Sequence, residues 1–295
     1  MARLLGIGDN TVDIYVDQGV QFPGGNAVNV AVLAARLGAR ASYIGCVGRD
    51  HFGTLVRNAL ETENVDISHL RVIDAPNSWS RIRHIGNDRV FDGSRPSLRG
   101  AYALTAGDFS YIARHDIVHS SIYSKIEDDL NAISAAAPCM SFDYSSEYNT
   151  SYIRDTAPSL KIAFLSDADS SESACRSLCR DVSALGPETV VITRGRKGAI
   201  GYHCGAFHDQ SVLDGPVVDT LGAGDGFIAA FLLAVWSGQP LSVALQRGAE
   251  SALRVCAECG AFGHGSPIRP GQPGLTHPGP NSDHKQRPTR CNNHA

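Results

Sequence analysis

Asp219-Thr-Leu-Gly-Ala-Gly-Asp-Gly-Phe227 is the stretch that says most about this chain. Residues 216–218 before it indicate the end of a short strand, and the apolar run 227–236 after it predicts a buried helix. The quoted stretch is therefore expected to turn from loop into helix. Three small residues lie at that helix N-terminus: Gly222, Ala223 and Gly224.

A helix that begins in this loop predicts an anion site. The N–H groups of a first helical turn lack intrahelical partners, and the macrodipole adds partial positive charge there. Small residues let a phosphoryl group approach that backbone closely. Asp225 follows directly, and a carboxylate at such a site can take a proton from a hydroxyl that attacks the phosphoryl group. The alternative is that Asp225 caps the helix and the glycines serve the turn.

A second glycine-rich stretch favours the chemical interpretation. Residues 219–227 resemble the C-terminal signature of the ribokinase-like (PfkB) carbohydrate kinases, and residues 23–31, continuing to Gly53, resemble the N-terminal signature of that family. The resemblance spans about residues 4–262. It implies the α/β ribokinase-like fold: a doubly wound, mostly parallel sheet with helices on both faces and a small β lid.

The resemblance implies ATP-dependent phosphorylation of a sugar hydroxyl, with Mg²⁺ bridging the phosphates. Within the family it favours the 6-hydroxyl of fructoselysine or a related Amadori compound. Two alternatives stay open: another sugar or nucleoside kinase of the family, acting on ribose, fructose or adenosine, or a catalytically silent sugar- or nucleotide-binding protein. The stretches that favour the Amadori substrate are Gly8–Tyr15, Val65–His69, Asn87–Phe91 and Asp116–His119.

The same resemblance assigns roles at the reaction centre. Asp225 is the expected general base, and the backbone of Gly222, Ala223 and Gly224 with the Asp225 N–H group is the expected anion hole. For ATP, residues 193–198 resemble the family's nucleotide loop, although a strand-ending glycine turn is the simpler explanation of that stretch. The expected nucleotide-binding residues are Thr193, Gly195, Gly198, Thr220, Gly222 and Gly224.

For the sugar, the resemblance assigns Asp13, Gly24, Gly25 and Asn29. An Asp accepts from two hydroxyls, an Asn both donates and accepts, and glycines let the backbone approach a polyol. Two further candidates come from their positions alone. Asp9 stands four residues before Asp13, although both could simply be turn-forming carboxylates. Arg89 lies with Arg81 and Arg83 in the expected lid, where a solvent-exposed strand face is an equal alternative.

The metal site is left open by a departure from the family pattern. Many members carry an Asn-x-x-Glu motif after the strand predicted at residues 162–165, and it organises the magnesium shell. Here that stretch is Ser166-Asp-Ala-Asp-Ser-Ser-Glu172. Asp167, Asp169 and Glu172 are the candidates to act in its place, and the sequence does not choose among them.

Most of the chain alternates strand and helix patterns, which predicts a parallel sheet covered on both faces. Residues 78–91 interrupt this order with an alternating pattern around Gly86-Asn87-Asp88, a hairpin turn signal, so we expect the lid hairpin at about residues 78–92. Residues 1–262 should form the kinase domain. Residues 263–295 hold six of the 14 prolines and few apolar residues, which predicts a disordered tail.

The composition excludes several partners. With 295 residues, 43% of them hydrophobic, and a net charge of −4, the chain can bury a large core and shows no basic excess for nucleic acid or a membrane surface. Neither a signal peptide nor a membrane span is apparent, which favours a cytoplasmic enzyme. We also consider a homodimer through the lid. Cys256-x-x-Cys259 lacks zinc-site spacing and indicates structural thiols.

Overall fold

The computed structural model describes residues 1–85, 88–96, 98 and 102–275. In chain order its strands are β1 (Arg3–Gly8), β2 (Thr11–Tyr15), β3 (Val20–Gly24), β4 (Arg40–Gly48), β5 (Leu70–Ile73), β6 (Trp79–Ile85), β7 (Asp88–Arg95), β8 (Ile117–Ser121), β9 (Met140–Asp143), β10 (Ile162–Ser166), β11 (Thr189–Thr193), β12 (Ala199–His203), β13 (Ala206–Gln210) and β14 (Ser266–Pro267). Its helices are α1 (Asn26–Arg36), α2 (His51–Thr62), α3 (Ala106–Ile112), α4 (Leu130–Ala136), α5 (Thr150–Thr156), α6 (Glu172–Ser183), α7 (Ala223–Trp236) and α8 (Leu241–Cys256).

Within the described residues the large sheet has nine strands in the order β13-β12-β11-β10-β9-β8-β1-β4-β5. The strands from β11 to β5 pair in parallel, while β12 and β13 close one edge as an antiparallel hairpin. Because the parallel strands all end at the same edge, the loops that follow them meet there, which is where α/β sheets bind their ligands.

Helices cover both faces of this sheet, as the strand–helix alternation predicts. Successive strand residues point to opposite faces; thus Leu4 packs in the core with α1, α2, α7 and α8, and Leu5 packs in the core with α3 to α6. Helix α7 is apolar almost all round because it lies between the sheet and α8. A Cβ on Gly226 would come within 2.7 Å of Val255 on α8, so a glycine is needed for this close packing.

The small sheet is larger than the expected hairpin. It has five strands among the described residues, in the order β14-β3-β2-β6-β7. The hairpin of β6 and β7 supplies two of them, and β2 supplies the strand that carries Asp13. Arg81 is not on a solvent-exposed face. Its side chain is fully buried and bonds Asp92 at 2.5 Å and the Gly274 carbonyl at 3.1 Å.

Residues 263–275 do not follow the expectation of disorder. Strand β14 pairs with β3, and the Ile268 N–H group donates to the Gly19 carbonyl at 3.0 Å. Gln272 is buried and donates to Gln21 at 2.8 Å. Polar side chains thus hold a segment that lacks an apolar core of its own. The rest of the expected tail, residues 276–295, lies outside the described residues.

The sequence patterns did not predict every element. The hairpin β12–β13, strand β3 and helices α3 and α5 were not expected, because each is short or has no clear hydrophobic period. Residues 216–218, expected to end a strand, form no strand, and Val217 and Val218 are both exposed by about 60%. These two valines stand just before the loop that enters α7.

Candidate functional site

The Asp225 carboxylate lies in the first turn of α7 and is held by two amides of α1. Asn26 donates its Nδ2 to Asp225 Oδ1 at 2.7 Å, and Asn29 donates its Nδ2 to Asp225 Oδ2 at 2.6 Å. The side chain does not fold back to cap its own helix, because the N-cap residue is Gly222 and makes no side-chain cap bond. The capping alternative for Asp225 is therefore not what the structure has.

Burial, helped by the neighbouring charges of Asp143 and Asp9, raises the pKa of Asp225 to about 7. The two amide bonds act in the opposite direction, because they stabilise the ionised carboxylate. A carboxyl whose pKa lies near neutral pH can accept a proton with little energetic mismatch. The arrangement can therefore act as a base for a hydroxyl brought against it.

The loop before α7, the predicted anion site, depends on two glycines with different surroundings. Gly222 has φ 76°, and a Cβ there would lie 2.3 Å from the Cβ of Ala261, so only glycine fits. A Cβ on Gly224 would meet nothing within 4 Å, which leaves the backbone open on that side. Ala223 differs from the expectation, because its N–H group makes a 3.3 Å turn contact with the Thr220 carbonyl.

The amide of Asn26 joins two carboxylates. Besides Asp225, its Nδ2 donates to Asp143 Oδ2 at 2.9 Å. Asp143 ends β9, is 9% exposed, and has a pKa that burial raises to about 6. We did not predict either residue as part of the site. Asn26 is inside the N-terminal glycine-rich stretch and could have been included, whereas no local signal marks Asp143.

Asn29 carries an unused acceptor. Its Nδ2 is bonded to Asp225, but its buried Oδ1 has no hydrogen-bond partner among the described residues. A buried amide oxygen without a partner costs free energy that a ligand hydroxyl would recover. Asp13 lies beside it: a Cβ on Gly24 would come within 2.5 Å of Asp13 Oδ2 and 3.7 Å of Asn29 Oδ1. The glycine at 24 thus lets a buried carboxylate and this amide share one space.

Asp9 has a different environment from the one expected of a sugar ligand. Its carboxylate faces the N-terminus of α1, where Oδ2 accepts from the Asn26 N–H group at 2.7 Å. Oδ1 accepts from the hydroxyls of Ser121 at 3.0 Å and Ser124 at 2.8 Å. Gly25 has φ 106° and would place a Cβ 3.0 Å from the Asp9 carboxylate. Both residues therefore shape the start of α1, and these three bonds to the Asp9 carboxylate leave a ligand little room.

The predicted nucleotide loop lies at the carboxyl end of β11. Thr193 pairs with Ser166 across the parallel strands, and their hydroxyls are 3.0 Å apart. Gly195 has φ 53°, and a Cβ there would make only an ordinary 3.8 Å contact with Ala168, whereas a Cβ on Gly198 would lie 2.0 Å from the Gln210 carbonyl. Gly198 is thus required by the β12–β13 hairpin. Thr220 is exposed in the loop that enters α7.

Two predictions concern residues that the geometry does not gather into the site. Arg89 is on β7, but its side chain lies outside the described part of the structure. Among the metal candidates, Glu172 pairs with Arg176 at 2.9 Å, and Asp167 accepts from the Ser170 N–H group at 2.9 Å. Within the described residues, no three His, Cys, Asp or Glu side chains group as a metal site.

Comparison with known families decides the class of this site. The model of the pfkB family of carbohydrate kinases matches residues 3–263. The chain belongs to the pfkB family of carbohydrate kinases. The family expected from the two glycine-rich stretches is confirmed, and the chain is a sugar kinase.

Characterised relatives of this kinase span nearly its whole length. It is 40% identical over 273 residues to the fructosamine kinase FrlD of Bacillus subtilis, covering 90% of this chain and 95% of the relative. It is 35% identical over 262 residues to the fructoselysine 6-kinase of Escherichia coli, covering 89% of this chain and 100% of the relative.

Solved structures confirm the fold of the kinase. Arabidopsis thaliana ribokinase, in a complex with ribose and ATP, aligns with a TM-score of 0.77 at 20% identity, covering 88% of this chain and 94% of that one. Xylella fastidiosa fructokinase with bound ATP aligns with a TM-score of 0.73 at 18% identity, covering 88% and 94%. None of the helices in the described residues has the length and apolarity that crossing a bilayer requires.

Proposed function

We propose that this carbohydrate kinase transfers the γ-phosphoryl group of ATP to the 6-hydroxyl of fructoselysine or a related Amadori compound. The observation that carries the proposal is the pair formed by Asn29 and Asp225. Asn29 offers a buried, unpartnered acceptor beside a carboxylate whose pKa burial raises to about 7. One sugar hydroxyl can bond the amide while the reacting hydroxyl faces the carboxylate.

The proposed mechanism assigns one task to each part of the site. Asp225 takes the proton of the attacking hydroxyl, and the N–H groups of Gly224 and Asp225 in the first turn of α7 stabilise the negative charge of the transferred phosphoryl group. Gly224 lets that group approach the backbone, because no atom lies within 4 Å of the position a Cβ would take. Asp13 and Asn29 hold the sugar, so that transfer depends mainly on positioning.

Two observations favour an Amadori compound as the substrate: the activities named for the relatives of this chain, and the charge of the site. The fructosamine kinase and the fructoselysine 6-kinase are 40% and 35% identical to this chain over most of its length. Asp13, Asp143 and Asp225 bring carboxylates to the site, and no Lys or Arg bonds Asp143 or Asp225 among the described residues. An Amadori compound carries a secondary ammonium group, which a site with excess carboxylates binds better than a neutral sugar.

Magnesium is expected as the companion of ATP rather than as a resident of a protein cage. Mg²⁺ keeps several waters and binds through substrate phosphates plus one or two carboxylates. The described residues form no group of three acidic, His or Cys ligands, which fits this mode. When bound, the ion would neutralise phosphate charge. No residue of this chain is assigned to it.

A substrate panel in a coupled ADP-release assay tests the proposal. Fructose is the matched control for fructoselysine, because it offers the same ring without the ammonium group. We expect kcat/KM for fructoselysine to exceed that for fructose by about tenfold or more, the worth of one charge-assisted bond. Ribose and adenosine should be poorer still. A neutral sugar or nucleoside preferred over fructoselysine would contradict the substrate, and ATP binding without ADP release across the panel would indicate a silent binding protein.

A further inference from the structure

A buried histidine lies directly behind the two amides of the site. His119 is on β8 and is completely buried. Its Nε2 is 3.0 Å from Asn26 Oδ1, and its Nδ1 is 2.9 Å from the Ser141 hydroxyl. Burial lowers the pKa of His119 to about 3, so the ring is neutral wherever the enzyme works. It is too deep to touch a substrate, and its ring contacts Phe164 edge-on.

The partners of the ring determine its tautomer. A neutral imidazole has one N–H donor and one acceptor nitrogen. The oxygen of Asn26 can only accept, so Nε2 must carry the proton, and Nδ1 must accept from the Ser141 hydroxyl. By donating to Nδ1, Ser141 supports the tautomer whose proton faces the active site.

That proton in turn anchors the Asn26 amide by its oxygen. With Oδ1 bonded to His119, the Nδ2 group donates one hydrogen to Asp143 and the other to Asp225. Turned by 180°, the amide would point its oxygen at two carboxylates, and this repulsion excludes that orientation. Oδ1 must therefore face His119, whose Nε2–H group holds it there.

We propose that His119 is a positioning residue that orients Asn26 so that its amide donates to Asp225, the proposed base. The inference rests on the proposed function only in naming Asp225 as the base. A chain of three bonds, from Ser141 through His119 and Asn26 to Asp225, carries the effect from the sheet interior to the reaction centre.

The groups around Asp225 determine how its pKa would respond if this chain of hydrogen bonds were broken. Helix α1 contributes the amides of Asn26 and Asn29; the ends of β9 and β1 contribute the carboxylates of Asp143 and Asp9. The two carboxylates favour protonation of Asp225, and the two amides favour its ionised form. An Asn26 amide released from His119 would no longer hold its donor on Asp225. The pKa of Asp225 would then rise.

The test is the pH profile of kcat in His119→Phe, which keeps a ring of similar shape and removes both nitrogens. The loss of one charge-assisted bond should shift the acidic limb of this profile to higher pH by about one unit. Activity below pH 7 should fall about tenfold and recover toward the parent value at high pH. Ser141→Ala should move the limb in the same direction by less, and His119→Gln, which keeps an N–H donor, should restore part of the parent profile.

His115 offers a matched control, because it is also a buried histidine with two bonds, at 2.9 Å to the Tyr111 carbonyl and 2.9 Å to the Ser42 hydroxyl. His115→Phe should lower the melting temperature without moving the acidic limb. If His119→Phe lowers the melting temperature in the same way while its limb and that of Ser141→Ala stay at the parent position, the proposal is overturned. Should His119→Phe not fold, Ser141→Ala decides alone: an acidic limb at the parent position overturns the proposal.

A direct measurement separates this inference from the proposed function. Carboxyl ¹³C NMR, with the Asp225 signal assigned by its loss in Asp225→Asn, reports the pKa of Asp225 without turnover. An upward shift in Ser141→Ala together with an active Asp225→Asn would keep the positioning role and remove Asp225 as the base. An unchanged NMR pKa together with an inactive Asp225→Asn would remove the positioning role of His119 and keep Asp225 as the base.

Discussion

Two glycines two residues apart in the loop should respond in opposite ways to the same added methyl group. Gly222 has φ 76°, and its Cβ would lie 2.3 Å from that of Ala261. A left-handed conformation costs a non-glycine residue about 1–2 kcal/mol, and overpacking costs about 1–3 kcal/mol. Gly222→Ala should therefore lose about 2–5 kcal/mol of unfolding free energy, a large share of the 5–15 kcal/mol typical of a domain.

Gly224→Ala adds its methyl where no atom lies within 4 Å, so its unfolding free energy should change by no more than about 0.5 kcal/mol. The methyl would instead occupy the side from which a phosphoryl group approaches. Loss of one oxyanion contact costs about 10²–10³-fold, so kcat/KM for ATP should fall by about that factor. Urea unfolding and a coupled ADP-release assay measure the two effects. A fully active Gly224→Ala would refute the anion hole at the start of α7.

The other predictions concern the sugar, the pH dependence and the C-terminal segment. Asp13→Ala should raise KM for the sugar far more than KM for ATP, since a charge-assisted bond is worth about 1.5–3 kcal/mol; weakened ATP binding alone would contradict the assignment. Asp225 accepts a proton only when it is ionised, and burial raises its pKa to about 7. The value of kcat/KM should therefore rise with pH through about 7 and fall away below it. A profile that is flat from pH 5 to 8 would exclude Asp225 as the base. A chain ending at Phe262 should melt below one ending at Leu275, because residues 263–275 pair with β3 and bond buried Arg81; equal melting temperatures would show that they contribute nothing.

The sequence predicts the parts of this fold that depend on local pattern. The apolar run 227–236 gives α7, and the β-branched run 189–193 gives β11. The glycines before α7 predict an anion site, because a positive φ and the close approach of a phosphoryl group to the backbone both require a residue without a Cβ. Asp225 follows from that placement. Local pattern is enough there, since the relevant atoms are near one another in the chain.

Contacts between distant residues could not be predicted in this way. Asn26 meets Asp143 and Asp225 across 117 and 199 residues, and it does so because β9 and α7 come to the same edge of the sheet as α1. The surroundings of Asp9 could not be predicted for a related reason. Its distance of four residues from Asp13 gives no sign that its carboxylate faces the N-terminus of α1.

Substitution of Asp225 by Asn tests the central claim most directly, because it keeps the size of the side chain and removes the proton acceptor. We expect kcat for fructoselysine to fall by about 10²–10⁴-fold, the usual worth of a positioned base, with the ATP dissociation constant and melting temperature near parent values. The anion hole is backbone and should survive the change. A kcat close to that of the parent enzyme would contradict the claim that Asp225 is the base of this kinase.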